Sequence, residues 1–392
     1  MEGFAMLLGL LFVMPALAAD LGQKPQMGWN SWNTFKNNVS EQLIKDTANA
    51  LVSTGLEKLG YNYVVIDGGW QAFERDENNR QQPNATKFPN GVKVVGDEIH
   101  DLGLKFGIYS DAGIYDCGFS PGSHGYEELD TQTYAAWGVD YLKYDNCGGF
   151  QANTLSVQER FLRMSYALKS SGRSILYSLC EWGHQFPWFW ADQFSESYRM
   201  SGDIHRYAGV SVLTMIRKMR ELSRFQKPGS WADMDMLEVG THTMTEYQEQ
   251  THFAFWAALK SPLIIGADIT NITDNSLSIL KNKEIIAINQ DELGIAVNFL
   301  PSLSQEGKYQ VWAGPLSSGK SRYVILIQNY GDEAVNVSVS VSDLPELEKL
   351  AGQTKLRVRD IWDKKDLGRL GKTIELKNIE VDQVKVLVLT RS

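Results

Sequence analysis

Tyr141-Leu142-Lys143-Tyr144-Asp145-Asn146-Cys147 reads as a short buried strand that ends in a carboxylate. Side chains alternate across a strand, so Tyr141, Lys143 and Asp145 share one face while Leu142 and Tyr144 take the other. A lysine and an aspartate two residues apart on an inward face are a costly pair for a core. Two readings are open at this point. The pair is a buried salt bridge, which adds little net stability, or Lys143 holds Asp145 ionised, as a carboxylate nucleophile requires.

Around this stretch, apolar runs alternate with amphipathic ones. The runs cover 27–32, 63–67, 105–109, 141–145, 174–180, 198–200, 229–233 and 263–266. Helical spacing falls between them, as in 41–59, 157–170, 210–225 and 245–260. Eight strand–helix repeats over this length predict an α/β fold, a (β/α)8 TIM barrel over residues 20–295. Asp67, Tyr109, Asp145, Glu181, Asp203 and Asp233 then sit at or just past the C-terminal ends of strands. That end of a barrel carries the active site, and so many polar strand ends exceed what turn chemistry needs.

Beyond Asn289-Gln290-Asp291 the texture changes to short β-branched runs at 309–313, 322–329, 334–341, 355–360 and 384–390. Residues 335–341 alternate strictly, as a half-buried antiparallel strand does. Residues 296–392 are therefore expected to form a C-terminal antiparallel β-sandwich domain with a structural role.

Composition narrows the partners. The chain has 392 residues, 43% of them hydrophobic and 22% charged, an ordinary globular balance that suits one large domain and a smaller one. A formal charge of −9 leaves no basic stripe for phosphates, so nucleic acid is not an expected partner. The apolar run 4–17 ends in Ala16-Leu17-Ala18-Ala19, the pattern of a signal peptide over residues 1–19, although Glu2 is unusual in its leading part. A secreted, extracellular protein with no other membrane segment is expected. Four sequons begin at Asn38, Asn84, Asn271 and Asn336 and are candidates for glycosylation. Of three cysteines, Cys117 and Cys147 lie in loops after adjacent strands and are paired on that ground; Cys180 reads as a buried hydrophobe. The six histidines show no metal-ligand spacing and no Gly-x-Gly-x-x-Gly follows a strand, so neither a metal nor a cofactor is expected. A Schiff-base role for Lys143 is disfavoured, because a carboxylate two residues away raises rather than lowers its pKa.

Met27-Gly28-Trp29-Asn30-Ser31-Trp32-Asn33, Lys143-Tyr144-Asp145-Asn146-Cys147, Cys180-Glu181-Trp182-Gly183 and Asn289-Gln290-Asp291 together resemble glycoside hydrolase family 27, in order and spacing. Within it the likeness is to secreted α-galactosidases of fungal and plant type. The resemblance implies a retaining double displacement on terminal α-galactosyl groups of oligosaccharides or polysaccharides. Asp145 would be the nucleophile and Asp203 the acid/base. The sugar pocket would include Trp32, Asp67, Tyr109, Cys117, Lys143, Glu181 and Arg199, with Glu181 bonding the 2-hydroxyl and so disfavouring N-acetylgalactosamine.

The family usually carries Asp-Asp-Cys-Trp where this chain has Asp67-Gly68-Gly69-Trp70. One of two carboxylates that hold the 4- and 6-hydroxyls is gone. The partner of the missing cysteine is also absent, replaced by Asn37, so the first two active-site loops are expected to be less constrained. A smaller departure is Ala232, where asparagine is common. Weakened recognition near the 6-position leaves two other readings: a β-L-arabinopyranosidase, or a galactose-binding protein with degraded catalysis. Retention of both Asp145 and Asp203 speaks against the latter. Nothing in the sequence indicates the oligomeric state.

Overall fold

The computed structural model describes residues 21–151, 155–204, 211–317, 322–345, 347 and 356–391; the segment read as a signal peptide lies outside them. Strands β1 (Met27–Asn30), β2 (Tyr63–Val65), β3 (Lys105–Asp111), β4 (Tyr141–Asp145), β5 (Leu176–Leu179), β6 (Ser197–Arg199), β7 (Trp231–Asp233) and β8 (Leu263–Ile265) form one parallel sheet. Their order is β7-β6-β5-β4-β3-β2-β1-β8, so β8 returns to β1. The ring closes just beyond β7. There Leu237 donates to the Ile264 carbonyl (2.7 Å) and accepts from the Gly266 amide (2.9 Å). Between β7 and that seam, Asp235 takes a left-handed φ of 79°.

The alternation expected of β4 is present. Tyr141 packs inside the ring with Tyr63, Val65 and Leu176, whereas Leu142 and Tyr144 face the helical layer. Helices between strands begin where the sequence caps them. Ser156 and Glu159 exchange side-chain and backbone hydrogen bonds to start Val157–Ser170, and Thr245 with Gln248 does the same for Glu246–Ala258. Four more helices, Val92–Asp101, Glu127–Ala136, Asp274–Leu280 and Lys283–Asn289, complete much of the outer layer.

Eight antiparallel strands follow: β9 (Asn298–Phe299), β10 (Tyr309–Leu316), β11 (Arg322–Asn329), β12 (Val335–Ser340), β13 (Leu356–Asp360), β14 (Lys365–Arg369), β15 (Thr373–Ile379) and β16 (Val384–Arg391). Six make a sheet of order β14-β13-β16-β11-β10-β9, and β12 pairs with β15. In β11, Tyr323, Ile325 and Ile327 face the β12–β15 pair, while Val324 and Leu326 face the barrel. The large sheet is thus apolar on both sides. Trp312 carries it onto the barrel, its ring 5.8 Å from that of Phe255 in the helix Glu246–Ala258. Among the described residues no helix is long and apolar enough to cross a membrane.

Candidate active site

Asp145 ends β4 and is buried. Its Oδ1 accepts the Asn146 amide (2.9 Å) and its Oδ2 accepts the Tyr109 hydroxyl (3.2 Å). Tyr109 reaches it because β3 and β4 are in register, with Tyr109 beside Lys143. Cys117 and Cys147 form a disulfide with Cα atoms 5.0 Å apart, and the Cys117 sulfur lies 3.6 Å from Asp145 Oδ2. Having no thiol proton, that sulfur is a contact rather than a donor. Asp111, also on β3, accepts the amides of Gly113 and Cys147 (2.7 Å each) and of Gly148 (3.2 Å). It fixes the turn that follows Asp145. Asp111, Cys117, Asp145 and Cys147 place their donor atoms within 4.8 Å of one another, but the disulfide occupies both sulfurs and leaves only carboxylates for an ion.

Lys143 does not hydrogen-bond Asp145. Its Nζ donates to Asp67 Oδ2 at 2.7 Å, and the same oxygen accepts from Asn30 Nδ2 at 2.8 Å. The expected Lys143–Asp145 salt bridge is thus replaced by a Lys143–Asp67 one, and Lys143 bears on Asp145 through its charge rather than a hydrogen bond. Lys143 is in a buried ion pair, with a partner 76 residues away, and its charge still acts across the short gap to Asp145. Burial would push Lys143 down, but the charges of Asp67 and Asp145 overcome this and hold it above its usual range. Burial raises Asp145 above the ordinary carboxylate range; Lys143 and the Asn146 amide oppose that, and Asp67 and Asp203 add to it.

Across the mouth, Arg199 at the end of β6 donates from Nη2 to Asp203 Oδ1 (2.9 Å) and to the Ser201 carbonyl (3.1 Å), and pairs with Asp235 Oδ2 (2.9 Å). Asp235 Oδ2 also accepts the Ile204 amide at 2.8 Å, so it grips the backbone next to Asp203. The Asp203 side chain is 44% exposed. Asp233 is pushed up to about 6 by burial, against the pull of Arg199. Glu181 is fully buried. Its Oε2 accepts the Gln185 amide at 2.8 Å, its Oε1 has no partner, and burial pushes its pKa up to about 7.

The sequence family of α-galactosidase A matches residues 24–291, and that of the α-galactosidase C-terminal β-sandwich domain matches 306–389. The chain belongs to the melibiases, glycoside hydrolase family 27. Among curated relatives, α-galactosidase 2 of Arabidopsis thaliana is 42% identical over 373 residues, 95% of this chain and 90% of its own. The crystal structure of α-galactosidase I from Mortierella vinacea superposes with a TM-score of 0.89 at 39% identity, covering 95% of this chain and 98% of that one. A β-L-arabinopyranosidase of Geobacillus stearothermophilus shares the fold at 24% identity and a TM-score of 0.81. This melibiase hydrolyses α-galactosyl bonds, and the arabinopyranosidase alternative has only a distant relative behind it.

In this melibiase the two loops that lack their disulfide are tied in another way. Lys87 Nζ donates to the carbonyls of Asn37 (2.6 Å) and Gly69 (2.8 Å), one from each loop. The loops also approach so closely that a Cβ at Gly69, whose φ is +94°, would fall 2.8 Å from Asn37 Cα. The expected loosening is thus corrected: a lysine clamp and a bare glycine take the place of the bond. Gly68 is different. A Cβ there would meet Trp32 at 3.4 Å and Tyr109 at 3.6 Å, snug but not excluded. Trp32, Gly68 and Tyr109 thus lie against one another, and Lys36 lies 5.2 Å over the Trp32 ring.

The structure brings Trp32, Asp67, Tyr109, Cys117, Lys143, Asp145, Arg199 and Asp203 to one end of the barrel and buries Glu181 against its own loop. Reading the sequence missed Asn30, Asp111 and Asp235. Asp111 lies two residues after Tyr109 on β3, so strand periodicity carried one step further finds it, whereas Asp235 follows the end of β7 in a left-handed conformation that breaks the alternation.

Proposed function

We propose that this melibiase works by double displacement, with Asp145 as nucleophile and Asp203 as acid/base. An Asp145 oxygen bonds to the anomeric carbon while the glycosidic oxygen leaves with the Asp203 proton. Asp203 then takes a proton from water, whose oxygen displaces Asp145 from the same carbon. Retaining chemistry asks for carboxyls roughly 5–5.5 Å apart, and Asp203 stands near enough for its charge to raise Asp145. The observation that carries this reading is a buried carboxylate bonded to Tyr109 beside the buried Lys143–Asp67 pair, facing an exposed carboxyl held by Arg199.

A 2-deoxy-2-fluoro α-galactosyl fluoride tests it by trapping the intermediate. Mass spectrometry of the digested protein is expected to find the sugar on the peptide containing Asp145, with Asp145→Asn cutting aryl α-galactoside turnover by more than about 1,000-fold. Label on another carboxylate overturns the assignment.

The remaining parts of the reading follow from sequence. Residues 1–19 are a leader removed on secretion, and 20–295 and 296–392 divide catalytic from supporting domain. The sugar pocket takes terminal α-galactosyl groups of oligosaccharides and plant polysaccharides. Asn38, Asn271 and Asn336 are exposed and suit glycan attachment, whereas Asn84 is half-buried and uses its Oδ1 to cap Thr86 and Lys87.

A further inference from the structure

Asp116 lies at the tip of the loop after β3 and is fully buried. Its Oδ1 accepts the amides of Gly118 and Ser120, each at 2.8 Å, and Tyr115 bridges to Pro121 at the neck of the loop. The turn needs that one oxygen. The other, Oδ2, is buried with no hydrogen-bond partner. An unpaired carboxylate oxygen away from water is costly, and an asparagine would hold the same turn through its own Oδ1 without burying a charge. The fold therefore does not explain why an aspartate stands here.

Its surroundings do. The next residue, Cys117, touches Asp145. The charge of Asp67 is felt at Asp116, and that of Asp116 at Tyr109, so all belong to one electrostatic neighbourhood. A Cβ at Gly118 would lie 3.4 Å from Asp116 Oδ1 and 3.6 Å from Asn37 Oδ1; a Cβ at Gly68 would lie 3.9 Å from that same Asn37 oxygen. The loop of Asp116 and the bare position 68 thus both approach the exposed Asn37 side chain, which lies between them.

We propose that Asp116 is a substrate-positioning residue, its Oδ2 accepting a hydroxyl of the α-galactosyl unit on the side of the pocket where Gly68 offers no side chain. Asn37, exposed and held by its backbone rather than its side chain, swings aside as the sugar enters. A second carboxylate for hydroxyl recognition is then supplied by the loop after β3, in addition to Asp67 from the loop after β2. This rests on the α-galactosyl pocket described above and does not depend on which carboxylate is the nucleophile.

Asp116→Asn keeps the turn-holding oxygen and changes only the unpartnered atom. The expected result is a rise of about tenfold in KM for aryl α-galactoside and in the inhibition constant of galactose, with kcat within about twofold and the unfolding midpoint unchanged. Gly68→Asp in the Asp116→Asn background is expected to recover at least about fivefold of that KM, and to do less in the wild-type background. The space at position 68 accepts a side chain, so this variant should fold. Unchanged KM and galactose inhibition in folded Asp116→Asn overturn the proposal, as does a Gly68→Asp effect of equal size in both backgrounds. A lowered midpoint with reduced kcat and constant KM overturns it in favour of a structural role. Failure of the α-galactosyl reading itself would show instead as no turnover by the wild type.

Discussion

Lys143 shows what one residue decides in this site. It hydrogen-bonds Asp67 while its charge opposes the burial of Asp145, so one cation keeps two buried carboxylates tolerable. The folded-state pKa of Asp145 already stands above its ordinary value. Removing the cation raises it further, both directly and by leaving Asp67 unpaired. Lys143→Met is therefore expected to move the acid limb of the kcat/KM profile to higher pH, by about one unit, and to lower its plateau. A limb that stays in place or moves down would refute this account. The inward placement of Lys143 and Asp145 was legible from strand alternation alone. The hydrogen-bonded partner was not, because Asp67 lies just past the end of another strand and nothing local in the sequence joins them. Asp116 was hidden for a different reason: an unsatisfied oxygen is a property of packing, and a single aspartate in a Gly-rich loop looks like turn chemistry.

At the level of elements, the loops after β1 and β2 depend on Lys87. Its two hydrogen bonds join backbone carbonyls of Asn37 and Gly69, and its ammonium is partly screened by solvent. Lys87→Met should cost about 1–2 kcal/mol of stability. Hydrogen exchange around residues 36–38 and 68–70 should speed up, with a severalfold rise in KM because Trp32 and Gly68 sit on these loops. Exchange confined to other loops would show that the clamp is not what holds them. The strands were readable where burial imposes a pattern. β11 and the helix Val157–Ser170 match their expected limits at both ends. β6 has only three residues, and its short, polar sequence gave little signal. β9, with two residues, and β14, exposed along most of its length, left even less, since neither buries an alternating face. β15 was overlooked although Ile374 and Leu376 alternate with exposed residues, so its signal was present and weak rather than absent.

For the molecule as a whole, several buried carboxylates at the barrel mouth share one direction of shift. Burial pushes Asp116 and Asp233 up to about 6, and Glu181 and Glu238 up to about 7. The folded state therefore binds these protons more tightly than the unfolded chain. The stability they contribute is full below the unfolded carboxylate value, near about 4, and is lost as pH rises through 6 to 7. The thermal midpoint is expected to be at least about 3 °C lower at pH 8 than at pH 5 by calorimetry, and the reverse order would contradict the burial described here. The same compact mouth explains why the barrel was recognisable from sequence while its closure was not. Eight apolar runs announce eight strands, but the last join is made by Leu237, beyond the end of β7 and past a left-handed Asp235.

That join has a mechanical consequence. Asp235 grips Arg199 and the Ile204 amide two residues before Leu237 buckles the ring shut. Asp203, the proposed proton donor, and the hoop's fastening are thus fixed to the same few links of chain. Breathing of the ring at this point is expected to reach Asp203 before Asp145, whose strand lies away from the seam in the sheet order.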